Sequence, residues 1–249
     1  MAQPASLTTS LFPRIVESYH SGKVADFTLC RYEEDARKIM QSNRYDGEMV
    51  MGLIEGLRHN LEGVRAHYRA ATALRDEFIT HHNFINAFAN AYDYRAAREA
   101  VVASIRTMDP SNPSDVEDAS SSAFLYGLVD EALRLQSDLR KLRGDRENTE
   151  SIQAVEDLHA LNIPDLPGIL LLAYDEIAKH KLILFKATLN LSELYGEQYA
   201  EYVLTVNECP VEQLARCQEA VYQALTRYEL EHNLPPLPFG IRLIRRQPE

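Results

Sequence analysis

The chain has 249 residues, 45% of them hydrophobic and 25% charged, with only 10 glycines and 11 prolines, which excludes disordered and fibrous classes and leaves enough length for one large core or two smaller ones. A formal net charge of −11 opposes broad, non-specific capture of nucleic acid, which needs clustered cations, and suits a basic partner. Three cysteines, Cys30, Cys209 and Cys217, form no CxxC pair, so neither a disulfide framework nor a zinc site is suggested and a reducing cytoplasm fits. The run MAQPASLTTSLFPRIV lacks a signal-peptide pattern, and no stretch approaches the ~18 apolar residues of a membrane span, so no membrane partner is expected.

Residues 11–43 read as a helix pair, with FPRIVESYHSG breaking at Gly22 and RYEEDARKIM resuming. The intervening KVADFTLC is longer than a tight turn and predicts an atypical terminal cap. Three alignable segments follow: NLEGVRAHYRAATAL (60–74), DYRAAREAVVASIRTMDP (93–110) and LVDEALRLQSDLRKL (128–142). With Val64, Ala97 and Ala132 equivalent, the intervals are 33 and 35 residues. Within them Val64, Tyr68 and Ala71, then Ala97, Val101 and Ser104, then Ala132, Gln136 and Leu139 recur at i, i+4, i+7, which places each trio on one helix face. An upstream helix is predicted for each, over 47–58, 77–91 and 116–126, with breaks at His59-Asn60, Tyr92-Asp93 and Gly127. Gly127 suits the last turn because it tolerates backbone angles that strain other residues, and Asp130 with Glu131 suits the positive end of the following helix.

This pattern resembles the tetratricopeptide (TPR) family over residues 44–143. Gly52 falls where the family's first helix has its close-packing glycine, Gly127 at its turn, Tyr68 and Ala71 at the aromatic and alanine of its second helix, and Pro110 one position from its closing proline. Departures are Ile85 and Ser120 at glycine or alanine positions, Ser104 for alanine and Gln136 for an aromatic. The resemblance implies stacked helical hairpins, an α-solenoid, whose first helices line a concave groove for an extended peptide. Asn86 falls at the groove asparagine, with His82 one turn earlier and Glu117 and Ser121 at the equivalent places of the next unit. His82, Asn86 and Asn90 follow i, i+4, i+8 beside the apolar Phe84, Phe88 and Ala91, and several asparagines in mid-helix cost helix propensity.

Beyond Arg143 the polar stretch RGDRENTES predicts a boundary near 145, dividing a repeat domain (1–145) from a C-terminal domain (146–249), and Thr149 with Glu150 suits a helix start. In ILLLAYDEIAKHKLILFKATLNLSELYG a long helix and a strand at KATLNLS both remain open. EYVLTVN (201–207), the amphipathic run after Pro210 and FGIRLIRR predict a small β-α-β element whose strands pair with each other or with a third at 183–191. The fold class is therefore mainly α, with TPR-like hairpins followed by a small α+β element.

Chemical motifs are sparse. Ser21-Gly22-Lys23 lacks the spacing of a phosphate loop, and GxSxG and HExxH are missing. His81 and His82 project about 100° apart on a helix and do not converge on one metal. Cys209 and Cys217 read as packing residues without a partner base. No catalytic residue, metal or cofactor is expected. The reading is a cytoplasmic, non-catalytic adaptor or scaffold, a subunit of a larger bacterial complex, binding a protein or peptide through His82, Asn86, Asn90, Glu117 and Ser121, as a homo- or hetero-oligomer. Two alternatives stand beside it. One is a regulator touching nucleic acid through Arg242, Arg245 and Arg246, whose simpler reading is edge protection of a sheet. The other is an enzyme with a pocket gathering Glu193, Tyr195 and Cys209.

Overall fold

A computed structural model describes residues 4–21, 24–144, 156, 158–161, 163–194 and 197–246. The chain forms two compact units, Met1–Thr107 and Met108–Glu249. The boundary expected near 145, the capping role of Thr149 and Glu150, and Gly22 and Lys23 all fall outside the described residues.

Among its described residues the first unit consists of helices and the turns between them: α1 (Pro4–Ser21), α2 (Asp26–Ser42), α3 (Arg44–Leu57), α4 (Leu61–Leu74), α5 (Phe78–Asn90) and α6 (Tyr94–Thr107). Consecutive helices pack in pairs, α3 also packs on α5, and α1 touches both α2 and α3. Their apolar stripes meet in a core that includes Ile15, Ile54, Val64, Phe84, Ala97 and Val101. Each large side chain there contributes about 1.5–3 kcal/mol of burial. The second helix starts earlier than expected: α2 already begins at Asp26, and Leu29 extends by one turn the buried face that Tyr32, Ala36 and Ile39 form.

Helical hairpins turn through a left-handed residue at His59 (φ 56°), Tyr92 (φ 60°) and Gly127 (φ 72°), 33 and 35 residues apart. The turns share one hydrogen-bond pattern. At the first, His59 N–H donates to the Gly56 carbonyl (2.9 Å) and Asn60 N–H to that of Glu55 (2.9 Å); at the second, Tyr92 donates to Ala89 (3.0 Å) and Asp93 to Phe88 (2.9 Å); at the third, Gly127 donates to Phe124 (3.1 Å) and Leu128 to Ala123 (2.8 Å). This satisfies carbonyls that a helix end leaves orphaned. Asn60 and Asp93 then cap the next helix, their side-chain oxygens accepting from Gly63 N–H (3.3 Å) and Ala96 N–H (3.0 Å).

The second unit opens with a third hairpin, α7 (Pro113–Leu125) and α8 (Val129–Arg143), and continues with α9 (Leu166–Lys179). The stretch left open between helix and strand divides at Lys181 (φ 53°): the apolar helix ends, and the alternating run becomes β1 (Leu184–Leu194). β2 (Glu197–Val206), α10 (Val211–Glu231) and β3 (Phe239–Arg245) follow. The sheet order is β1-β2-β3, with β1 antiparallel and β3 parallel to β2, so the β-α-β element forms and the third strand joins it. Tyr202, Leu204 and Val206 of β2 and Ile241 of β3 are buried on one face, where the ring of the half-buried Phe124 of α7 lies 5.2 Å from that of Tyr202. Cys217, Val221 and Leu225 form the buried stripe of α10.

Candidate binding surface

Helix α5 buries ten of its thirteen residues. The others, Ile79, His82 and Asn86, stand at i, i+3, i+7, one line along the helix. Ile79 is 44% exposed, Asn86 is exposed and His82 half-buried. The Phe78 ring stacks on the His82 imidazole at 5.3 Å between centroids, which fixes the orientation of that edge. Asn90 departs from the expected polar stripe. It is buried, and its amide donates to the main-chain carbonyl of Asn86 (3.0 Å), while its own carbonyl contacts His59 Nδ1 at 2.6 Å. Its role is therefore to tie the end of α5 to the preceding turn.

Ile79 went unnoticed in the sequence, although its spacing from His82 placed it on that line. So did the cover over the preceding hairpin. The residues equivalent to His82 and Asn86 on α3, 33 positions earlier, are Met49 and Leu53, and both are buried. The Tyr19 hydroxyl of α1 donates to the Leu53 carbonyl at 2.5 Å, so α1 lies over that stretch of α3.

In the second unit, Glu117 and Ser121 occupy α7, half-buried and exposed respectively. Glu117 pairs with Arg143 of α8 at 2.5 Å. The C-terminal arginines are dispersed: Arg242 contacts Glu201 (3.4 Å), Arg246 lies 5.4 Å above the Phe185 ring, and Arg245 is exposed at the end of β3.

The arrangement nearest to a catalytic relay is Tyr68–His81–Asp76. The Tyr68 hydroxyl is 2.8 Å from His81 Nδ1, and His81 Nε2 is 2.7 Å from an Asp76 carboxylate oxygen. Burial, reinforced by the nearby acids Asp76 and Glu99, pushes the Tyr68 phenol up to about 12, so it stays protonated and is a poor nucleophile at neutral pH. The chain of bonds joins α4, the following loop and α5, and it explains why His81 is buried beside a half-exposed His82. Burial likewise raises the Cys209 thiol, partly offset by Arg245, and pushes that of Cys217 up to about 12, away from the reactive thiolate. Tyr195 and the side chain of Glu193 lie outside the described residues. Among the described residues, no group of three His, Cys, Asp or Glu is placed to hold a metal ion, and no helix is long and apolar enough to cross a membrane.

Compared with known proteins, the chain matches no family model, no curated protein and no solved structure.

Proposed function

We propose that the protein is a non-catalytic adaptor, TPR-like in its helical part, that holds a protein or peptide segment against the stripe formed by Ile79, His82 and Asn86. The supporting observation is that α5 spends every other position on packing and leaves an apolar side chain, an imidazole and a carboxamide in line. Asn86 offers both donor and acceptor to a peptide main chain, Ile79 offers an apolar seat, and the stacked His82 edge lies between them. An exposed asparagine in mid-helix costs about 0.5 kcal/mol relative to alanine, a cost that a ligand contact would offset. The net charge of −11 favours a basic ligand through steering.

The test starts from peptides selected from a random display library against the full chain, with affinities then measured by calorimetry. Ile79→Asp and Asn86→Ala each weaken binding about tenfold or more, equivalent to about 1.4 kcal/mol, whereas Glu99→Ala on the exposed side of α6 leaves it unchanged. A library that yields no ligand, or ligands indifferent to both α5 substitutions, overturns the assignment.

A further inference from the structure

The sheet has two edges, and they are treated differently. On the β3 edge, the Gln218 carboxamide of α10 serves as a substitute strand: its NH2 donates to the Ile241 carbonyl (2.8 Å) and its oxygen accepts from Leu243 N–H (2.6 Å). On the β1 edge the direction of the main chain follows from the register. Ala200 N–H donates to Pro238 and Arg246 N–H to Val206, so the even residues of β2 address β3 and the odd ones address β1. The β1 partners of Glu201, Val203 and Thr205 are Asn190, Thr188 and Lys186, which therefore bond inward. Ala187, Leu189 and Leu191 are left with their N–H and C=O groups pointing away from the sheet. Their side chains share the face of Tyr202, yet Leu191 remains 46% exposed. Among the described residues no backbone hydrogen bond reaches these outward groups, and a strand edge open over Ala187–Leu191 and carrying an uncovered leucine is a template for strand addition.

We infer that a second copy of this chain adds to that edge, β1 against β1 about a two-fold axis at Leu189, to make a continuous six-stranded sheet. The strand is suited to its own copy. Antiparallel pairing about Leu189 sets the outward groups of Leu189 against themselves and those of Ala187 against Leu191 of the copy, with two hydrogen bonds per facing pair. Small then meets large on the apolar side, and Thr188 meets Asn190 on the other. Charge points the same way: in a chain with 37 acidic residues, Lys186 is the sole charged side chain from Leu184 to Ser192, and in this register it faces Ser192. Copies thus meet without like-charge apposition along the strand. Salt, by screening the net charge of −11, strengthens the association.

The experiment uses the full chain. Sedimentation equilibrium gives twice 28.3 kDa, at a concentration that falls as salt is added. Leu189→Pro removes an outward N–H and spares the β1–β2 ladder; it raises the dimer dissociation constant about a hundredfold or more with an unchanged circular dichroism spectrum. With Cys30→Ser and Cys209→Ser in the background, Leu189→Cys forms an interchain disulfide under mild oxidation, since facing Cα atoms about 5.5 Å apart lie within reach. Under the same conditions Thr188→Cys alone links far less, because its partner in the copy is Asn190. A 28.3 kDa species throughout, a dimer indifferent to Leu189→Pro, or equal linking by Thr188→Cys overturns the proposal. None of these substitutions touches α5, so the outcome is independent of peptide binding there.

Discussion

Gly52 and Phe84 meet where α3 and α5 pack together: the ring edge of Phe84 occupies the place in which a side chain on Gly52 would stand, 2.3 Å from that Cβ position. Phe84 is itself fully buried, so it cannot swing into solvent to make room. Gly52→Ala therefore overpacks the junction and destabilises the first unit by about 1–3 kcal/mol despite the better helix propensity of alanine. A urea melt shows the loss as a lower midpoint with an unchanged slope. Phe84→Leu in the same chain recovers part of it, giving a favourable coupling in a double-mutant cycle.

Buried tyrosines make the fold sensitive to alkali. Tyr19, Tyr126 and Tyr202 are buried, and desolvation raises each phenol above its usual value of 10. A group whose folded pKa is raised contributes stability that is present in full below the unfolded value and is lost as pH climbs through the folded one. Stability should therefore hold up to about pH 10 and fall through the range above it. Thermal melts at stepped pH check the trend, and absorbance at the tyrosinate band shows these phenols ionising together with unfolding. Tyr68→Phe removes a phenol displaced to about 12 and makes the decline shallower.

Two left-handed positions in the second unit respond differently to substitution. Gly127 sits at φ 72°, and a Cβ there would stand 2.6 Å from a methyl of Leu170, so Gly127→Ala adds backbone strain to a clash. A loss of about 1–3 kcal/mol is expected. Lys181 adopts φ 53° as an exposed residue, and Lys181→Gly relieves its strain by about 1 kcal/mol, less the entropy that glycine returns to the unfolded chain. Differential scanning calorimetry of the two variants resolves the signs.

These turns also show what was legible in the sequence. The hairpins from Arg44 to Arg143 were readable because each second helix carries an inward-facing i, i+4, i+7 trio, wholly buried at Ala97, Val101 and Ser104 and half-buried only at Tyr68 and Leu139 of the other two, and the intervals of 33 and 35 residues reappear between the left-handed residues themselves. Glycine marks only the third turn. His59 and Tyr92 adopt the same conformation at a cost offset by the Asn60 and Asp93 caps and by stacking of their rings at 4.9 Å, a tertiary effect that local composition does not announce. The strand at 184–194 stayed ambiguous since its apolar residues suit a helix face as well as an alternating strand, and pairing with β2 decides between them. Of the polar stripe read from the spacing, His82 and Asn86 do face outward on α5. Asn90 obeys the same periodicity but is buried, its amide bonded to the Asn86 carbonyl and its main-chain carbonyl in contact with His59 of the preceding turn, a tertiary contact that spacing does not reveal.

Gln218 supports the last prediction. Its amide must donate to one main-chain group and accept from another, a pairing that a carboxylate cannot reproduce. In Gln218→Glu the ionised side chain still accepts from Leu243 N–H but turns a second oxygen toward the Ile241 carbonyl, so the charged form is disfavoured and the folded pKa of the new carboxyl rises above its unfolded value near 4.3. The sign follows: the protonated acid restores the donor, so this variant matches the wild type below about pH 4 and falls behind by about 1–3 kcal/mol as pH rises to neutrality. Gln218→Ala shows the same deficit at every pH, leaving both groups unserved. Denaturant midpoints of the two variants across pH 4–8 test this, and a Gln218→Glu chain as stable as wild type at pH 7 rules out the edge-sealing role.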